Sequence, residues 1–257
     1  MTPFENVVIE NKINDLLTTN VDLTNYVTLD NSLTSNAGMK IDVHTYTSTG
    51  DVEKLGKGEG NTKAIEPSYT TTEYTVGTVQ GRFIYQDEDA MTDPVIIDAG
   101  IRGAAQKMVN QFTADAIAEF GKATLSVSDV AGFDIVVDAI AELNTESEGG
   151  LFLLINPKTK ATFRKNLGDD LKYSEGFDRT GYIGTVAGVP VIVSKAVPEN
   201  TGYLASREAV TLFTKKATEI ENDREPNTRT NTMYIRRVYV VALTDATKVV
   251  KLTFTAN

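Results

Sequence analysis

The side chains able to do chemistry are few and poorly grouped. There is no cysteine, so a thiol nucleophile, a disulfide and a thiolate metal site are all excluded. The one histidine, His44, lies in Ile41-Asp42-Val43-His44-Thr45-Tyr46, whose alternation predicts a strand with His44 at a polar position. Ser-His-Asp, Cys-His and multi-histidine metal chemistry require a second imidazole or this one set among partners, and a polar strand position offers neither. Carboxylates are plentiful. Asp87-Glu88-Asp89 and Glu219-Ile220-Glu221-Asn222-Asp223 carry oxygen ligands that a hard cation accepts, the route to a carboxylate-dependent enzyme. Neither has the fixed glycine and terminal glutamate of a calcium loop, and solvated charge or element termini account for both. Gly56-x-Gly58-x-Gly60 has the look of a phosphate cradle, but such loops run from a buried strand into a helix start. Here polar Asn61-Thr62-Lys63 follows, which predicts a flexible tip. No catalytic, cofactor-binding or metal-binding residue is expected.

Composition narrows the classes further. The 257 residues, 41% of them hydrophobic, are enough for one elaborated domain or two modest ones. No apolar run approaches the ~20 residues of a membrane-spanning helix, and the N-terminus lacks the basic and apolar regions of a secretory signal, so cytoplasmic synthesis without membrane association is expected. A net charge of -10 argues against a protein whose main task is to grip nucleic-acid phosphates. It permits a surface that encloses DNA without holding it.

The elements that would position these residues follow in a distinct order. Residues 1–35 carry Phe4, Val7, Val8, Ile13, Leu16 and Leu17 amid polar residues, enough for a short amphipathic helix and then an irregular stretch. This is either an arm or a helix packed on its own domain. Residues 39–46 and 69–85, rich in Thr, Tyr, Val, Ile and Phe, flank a glycine-containing segment with Lys54, Lys57 and Lys63. They predict a long two-stranded ribbon, which needs something else to lie on because an isolated hairpin is marginal in water. Asp93-Pro94 starts the clearest helix and Gly121 stops it. Ile97, Ile101, Ala104, Ala105, Met108, Val109, Phe112, Ala116, Ile117 and Phe120 give it one apolar face over ~40 Å at 1.5 Å per residue. A second helix is expected after Ser128 or Asp129, with Phe133, Val136, Val137, Ile140 and Leu143 on one face. The fully apolar Leu151–Ile155 predicts a central strand, and Asn156-Pro157 a cap for a third helix through Phe163 to Leu167. Residues 168–182 read as a loop, Pro190 as an edge position, and Tyr203 to Phe254 as strands, with Asp245-Ala246-Thr247 turning the last pair.

Three stretches in this order carry a resemblance: Gly81-Arg82-Phe83-Ile84-Tyr85-Gln86-Asp87-Glu88-Asp89, the Gly181–Val193 corner with its Gly188-Val189-Pro190-Val191, and Tyr239–Val250. With the arm, ribbon, spine helix and α/β unit, they resemble the major capsid proteins of tailed bacteriophages, of the Hong-Kong-97 type, over most of the chain. The resemblance implies an α+β fold with an N-terminal arm (1–35), an extended β-ribbon loop (36–88), a peripheral domain with the spine helix (89–124), an axial domain (125–205) and strands returning through both (206–257). It implies a non-enzymatic subunit that assembles in the host bacterial cytoplasm into the pentamers and hexamers of an icosahedral head. In the virion that head would enclose double-stranded DNA without sequence-specific contact. A portal, a decoration protein and a separate scaffolding protein are the further partners it allows, since no large scaffolding segment precedes the arm.

Contacts between copies are expected at Phe4, Val7, Val8, Ile13, Leu16 and Leu17, at Lys54, Leu55, Lys57 and Lys63 on the ribbon tip, and at Asp169, Asp170, Tyr173, Phe177 and Asp178 around the symmetry axis. Ordinary surface is the alternative reading at each. Some relatives cross-link a loop lysine to a neighbour's asparagine; the buried carboxylate and asparagine this needs have no match here, so the tip lysines are read as solvated. Two other readings stay open: an encapsulin-type nanocompartment shell, similar in fold, and a soluble carboxylate-dependent enzyme.

Overall fold

The computed structural model describes residues 22–35, 37–93, 95–145, 149–171 and 184–255. In chain order the strands are β1 (Thr28–Asp30), β2 (Lys40–Thr49), β3 (Glu66–Thr75), β4 (Gly77–Gln86), β5 (Leu125–Val130), β6 (Leu151–Ile155), β7 (Thr185–Val186), β8 (Val189–Val193), β9 (Thr201–Ser206), β10 (Val210–Glu225), β11 (Thr230–Leu243) and β12 (Val249–Thr255). The helices are α1 (Asp87–Thr92), α2 (Val95–Phe120), α3 (Phe133–Leu143) and α4 (Pro157–Leu171).

The spine helix α2 forms where its apolar period predicts. Asp93 Oδ1 accepts from the Val95 N–H at 3.0 Å, satisfying one of the donors that a helix start leaves open. Ile101, Ala105, Met108, Val109, Phe112, Ala116, Ile117 and Phe120 are buried along about 39 Å of helix. Two sheets meet it. One has the order β1-β10-β11-β4 and the other β5-β12-β9-β6-β8-β7.

Strand β6 shows how the two halves share a core. Phe152 and Leu154 point into a cluster with α2, the four-stranded sheet and Leu23 and Val27. Leu151, Leu153 and Ile155 point into a second cluster with Ile135, Val136 and Phe163 of helices α3 and α4. A strand covered on both faces has no polar side to show, which is why its sequence is continuous rather than alternating. A third cluster, Leu33, Val43, Val76, Phe213, Val240 and Ala242, covers the far face of the four-stranded sheet. Residues 22–35 thus pack on their own subunit, and β1 pairs in parallel with β10.

Several expectations change. The segment read as one ribbon strand over 69–85 is two: β3 pairs with β2 in the ribbon, buried Val76 interrupts, and β4 joins β11. Asp87-Glu88-Asp89, read as solvated charge or an element terminus, is the first turn of α1; carboxylates there face the open N–H groups of a helix start. Helix α3 begins after Gly132, because Ser128 and Asp129 belong to β5. Its buried face is Ile135, Val136 and Ala139, while Phe133 and Val137 are 49% and 41% exposed. Helix α4 continues to Leu171, so residues 168–171 are helical rather than loop. Its start agrees with the expectation: Asn156 Oδ1 accepts from the Lys158 N–H while Nδ2 donates to the Val197 carbonyl at 2.7 Å.

Pro190 is not on an edge strand, since β8 lies between β6 and β7. The β6 ladder begins only at Val191, however, so the missing N–H breaks no ladder bond. Ala187 and Gly188, both at positive φ (49° and 79°), make the tight turn between β7 and β8. Finally, Asp245-Ala246-Thr247 does not join a hairpin. It is a crossover from β11 in one sheet to β12 in the other, capped by Asp245 accepting from the Thr247 N–H. Strand β12 inserts between β5, parallel, and β9, antiparallel.

Candidate assembly surface

The ribbon is the feature that the subunit does not use for itself. Strands β2 and β3 pair over ten residues each, from Lys40↔Thr75 to Thr49↔Glu66. Apart from Ile41, Val43 and Tyr74 near the base, its side chains are exposed. On one face His44 Nδ1 is hydrogen-bonded with Thr71 Oγ1 at 2.8 Å, and the His44 and Tyr69 rings meet edge to face at 5.4 Å. Tyr46 and Tyr69 are 73% and 66% exposed. His44 is thus the polar strand residue expected, with a threonine rather than a carboxylate beside it.

The tip holds its shape through its own carboxylates. Glu53 accepts from the Thr62 N–H and Oγ1, Glu59 accepts from the Gly56 N–H, and Lys63 pairs with Asp51 at 3.5 Å. The Gly-x-Gly-x-Gly run is therefore a tip with no helix behind it.

At the opposite end of β4, helix α1 and the start of α2 form a corner that touches the tip of the β10–β11 hairpin. Arg224 Nη2 donates to Asp87 Oδ2 at 2.7 Å, Asn231 Nδ2 donates to Asp87 Oδ1, and Arg229 pairs with Glu88 at 2.8 Å. Along that hairpin Arg236 donates to Glu219 and Glu221, and Lys216 pairs with Glu219. In the two acidic clusters noted in the sequence, Asp87 and Glu88 at a helix start and Glu219 and Glu221 on a strand are therefore answered by cations. Among the described residues no group of three or more His, Cys, Asp or Glu is arranged to hold a metal ion.

These pairs set a pH response. Hydrogen bonds from Arg224 and Asn231 hold the Asp87 carboxyl below the usual carboxylate range. Its folded pKa is lower than its unfolded one, so its contribution to stability is complete above about pH 4 and is lost as pH falls through the folded value. In an acid titration of stability, Asp87→Asn is expected to flatten the decline below about pH 4. A slope equal to the parent's would assign that decline to other groups.

Of the contact residues expected from sequence, Lys54, Leu55, Lys57 and Lys63 stand exposed on the tip. Asp169 and Asp170 fall in the last turn of α4. Phe4, Val7, Val8, Ile13, Leu16, Leu17, Tyr173, Phe177 and Asp178 lie outside the described residues. What sequence reasoning missed is the set of bare apolar side chains: Val52 and Ile65 on the tip, and Met91, Val95 and Ile96 on the corner.

Comparison with known proteins agrees with this geometry. A curated relative, the major capsid protein of Staphylococcus phage phiMR11, is 28% identical over 155 residues, 56% of this chain. The chain spans about half the length of that relative, 54%. The mature capsid of bacteriophage PhiM1 superposes with a TM-score of 0.71 at 11% identity, covering 93% of this chain and 88% of that one. A virus-like particle from Pyrococcus furiosus does so with a TM-score of 0.66 at 12% identity, covering 95% and 97%. At such identities the likeness establishes the fold. A model of the phage capsid protein family matches residues 69–252, from the second ribbon strand to the middle of β12. The chain belongs to the phage capsid protein family.

Proposed function

We propose that this chain is the major capsid protein of a tailed phage, a subunit that works by assembling into pentamers and hexamers of a closed head and performs no catalysis. The observation that carries the reading is the ribbon. Ten paired residues on each strand and a sixteen-residue tip project, beyond the base at Ile41, Val43 and Tyr74, polar and half-apolar faces that the subunit leaves exposed. A structure of this cost persists where a neighbour supplies its other side. On this reading the ribbon is laid across the adjacent subunit, residues 1–21 reach toward another neighbour, and the segment after α4 meets its copies at the symmetry axis. Residues 36–88, 89–124 and 125–205 then act as extended loop, peripheral half and axial half, with β4 contributing to the peripheral sheet.

The non-catalytic role is supported by Asp87, Glu88, Glu219 and Glu221 being paired with arginine or lysine and by the single imidazole facing a threonine. The net charge of -10 suits an enclosure that repels packaged DNA weakly. Virion location, host-cytoplasmic assembly, and a portal, scaffold or decoration protein as partners belong to the same proposal. A nanocompartment shell would use the same fold; the family match over residues 69–252 favours the phage reading. Negative-stain microscopy with mass photometry, across concentration and ionic strength, tests it. Rings of five or six, tubes or shells are expected. A compact small species under every condition, with co-expressed phage neighbours included, would overturn the proposal.

A further inference from the structure

Beyond Val43 on β2 and Tyr74 on β3 every ribbon side chain is exposed, so the direction in which the ribbon leaves the subunit is decided at its base. Val43 and Ile41 rest on the third apolar cluster with Phe213 and Val240. Apolar contact is non-directional: it holds the base down and leaves the tilt to other contacts. Tyr74, paired with Ile41, is different. It packs on the same cluster and also meets the end of the spine helix. Lys122 Nζ lies 5.1 Å from the centroid of its ring and 2.6 Å from Glu119 Oε1. The N–H groups of Gly121, Lys122 and Ala123 donate back to the carbonyls of Ile117, Glu119 and Phe120, so the turn that carries Lys122 moves with α2.

An exposed ion pair three residues apart is ordinarily worth little. This one differs on its acidic side. The Glu119 side chain is 12% exposed, and its Oε2 is buried with no hydrogen-bond partner among the described residues. A carboxylate drawn out of water and met by one cation holds that cation closely, which keeps the ammonium over the Tyr74 ring instead of turned to solvent. Burial, and after it the charge of Glu119, push the Tyr74 phenol up, as expected of a hydroxyl beside that carboxylate. We propose that Tyr74, Lys122 and Glu119 form a clamp that sets the tilt of the ribbon against the spine helix, so that the ribbon is aimed before any neighbour is met. The ladder runs from Tyr74 to Glu66, a lever of roughly 26 Å, and a tilt of about 10° at the base moves its far end by roughly 5 Å. On the proposed function an aimed ribbon loses less freedom on docking. The clamp itself lies within one subunit and stands or falls without that reading.

The absence of cysteine lets spin labels go only where thiols are introduced. Ser48→Cys, near the far end of the ladder, with Lys107→Cys on α2 gives a ribbon distance; Lys107→Cys with Asp138→Cys on α3 gives a body distance. All three side chains are exposed. Distances are read by pulsed electron spin resonance on full-length protein diluted in excess unlabelled protein, so that only pairs within one copy count. Lys122→Met and Tyr74→Leu are each expected to shift or broaden the ribbon distance by roughly 5 Å. The two together should go no further than the larger single change, because they break one contact. Lys122→Arg is expected to keep the parental ribbon distance, since a guanidinium also sits well over a ring. The body distance and the melting transition should hold in Lys122→Met, a change at a side chain 54% exposed. A parental ribbon distance in Lys122→Met overturns the clamp, whatever Tyr74→Leu does, and so does a body distance that broadens with the ribbon distance. Lys122→Arg behaving as Lys122→Met does would overturn it as well. Negative-stain microscopy of the same samples reports rings or shells separately, so a clamp that fails and a chain that never assembles are told apart.

Discussion

Phe152→Ala is expected to lower the unfolding free energy by roughly 3–5 kcal/mol, a large share of the total of about 5–15 kcal/mol typical of a folded domain. The ring is 1% exposed on the central strand β6. Its centroid lies 5.0 Å from that of Tyr26 and 6.0 Å from that of Phe120 at the end of the spine helix. It therefore holds three things together: the segment before β1, the helix and the six-stranded sheet. Truncation leaves a cavity at that meeting point, and close-packed neighbours relax only in part. Urea unfolding measures the effect as a lower midpoint with unchanged slope. Phe133→Ala is the comparison, since that ring is 49% exposed on α3; it is expected to change stability by no more than about 0.5 kcal/mol. Equal losses at the two positions would mean that α3 is turned differently from the structure described.

Replacing residues 50–65 by Asn-Gly is expected to remove assembly while leaving the subunit folded. Thr49 and Glu66 are the last paired residues of the ribbon, so a two-residue turn joins them without disturbing the ladder. No tip residue belongs to any of the three hydrophobic clusters, so the melting transition should hold. On the proposed function, the change strips each copy of the part of the ribbon laid across its neighbour. If that surface contributes about 3 kcal/mol, the protein concentration needed for rings or shells rises at least roughly a hundredfold. Light scattering against concentration, with circular dichroism as the folding check, reads both halves of the expectation. Assembly at the parental concentration would assign the subunit contacts to other surfaces.

The parts of this fold that could be read from the chain are those that a local period encodes. Helix α2 follows from its three- and four-residue spacing, and β6 from a run with no polar side. What escaped depends on contacts distant in sequence. Nothing in the continuous strand-like composition of 69–85 says that Val76 turns inward to meet Phe213, Val240 and Ala242. Asp245-Ala246-Thr247 has good turn chemistry, but local chemistry cannot say whether the next strand returns to the same sheet. Phe133 and Val137 were assigned to the core because they are apolar, and apolar type alone does not bury a residue. The same limit hid the bare apolar side chains of the α1–α2 corner. The tip lysines stood out by charge and position, while Met91, Val95 and Ile96 resembled more of the spine helix until their exposure was known.

The placement of β12 also orders events in time. It is made after every other strand of its sheet, yet it lies inside that sheet, between β5 and β9. A chain still emerging from the ribosome therefore has β5 unattached and one edge of β9 unpaired, an open template for wrong pairing and a target for proteases and chaperones. Closure of the sheet waits for residues 249–255. A chain cut short before residue 249 therefore cannot close this sheet, and misfolding is its expected fate.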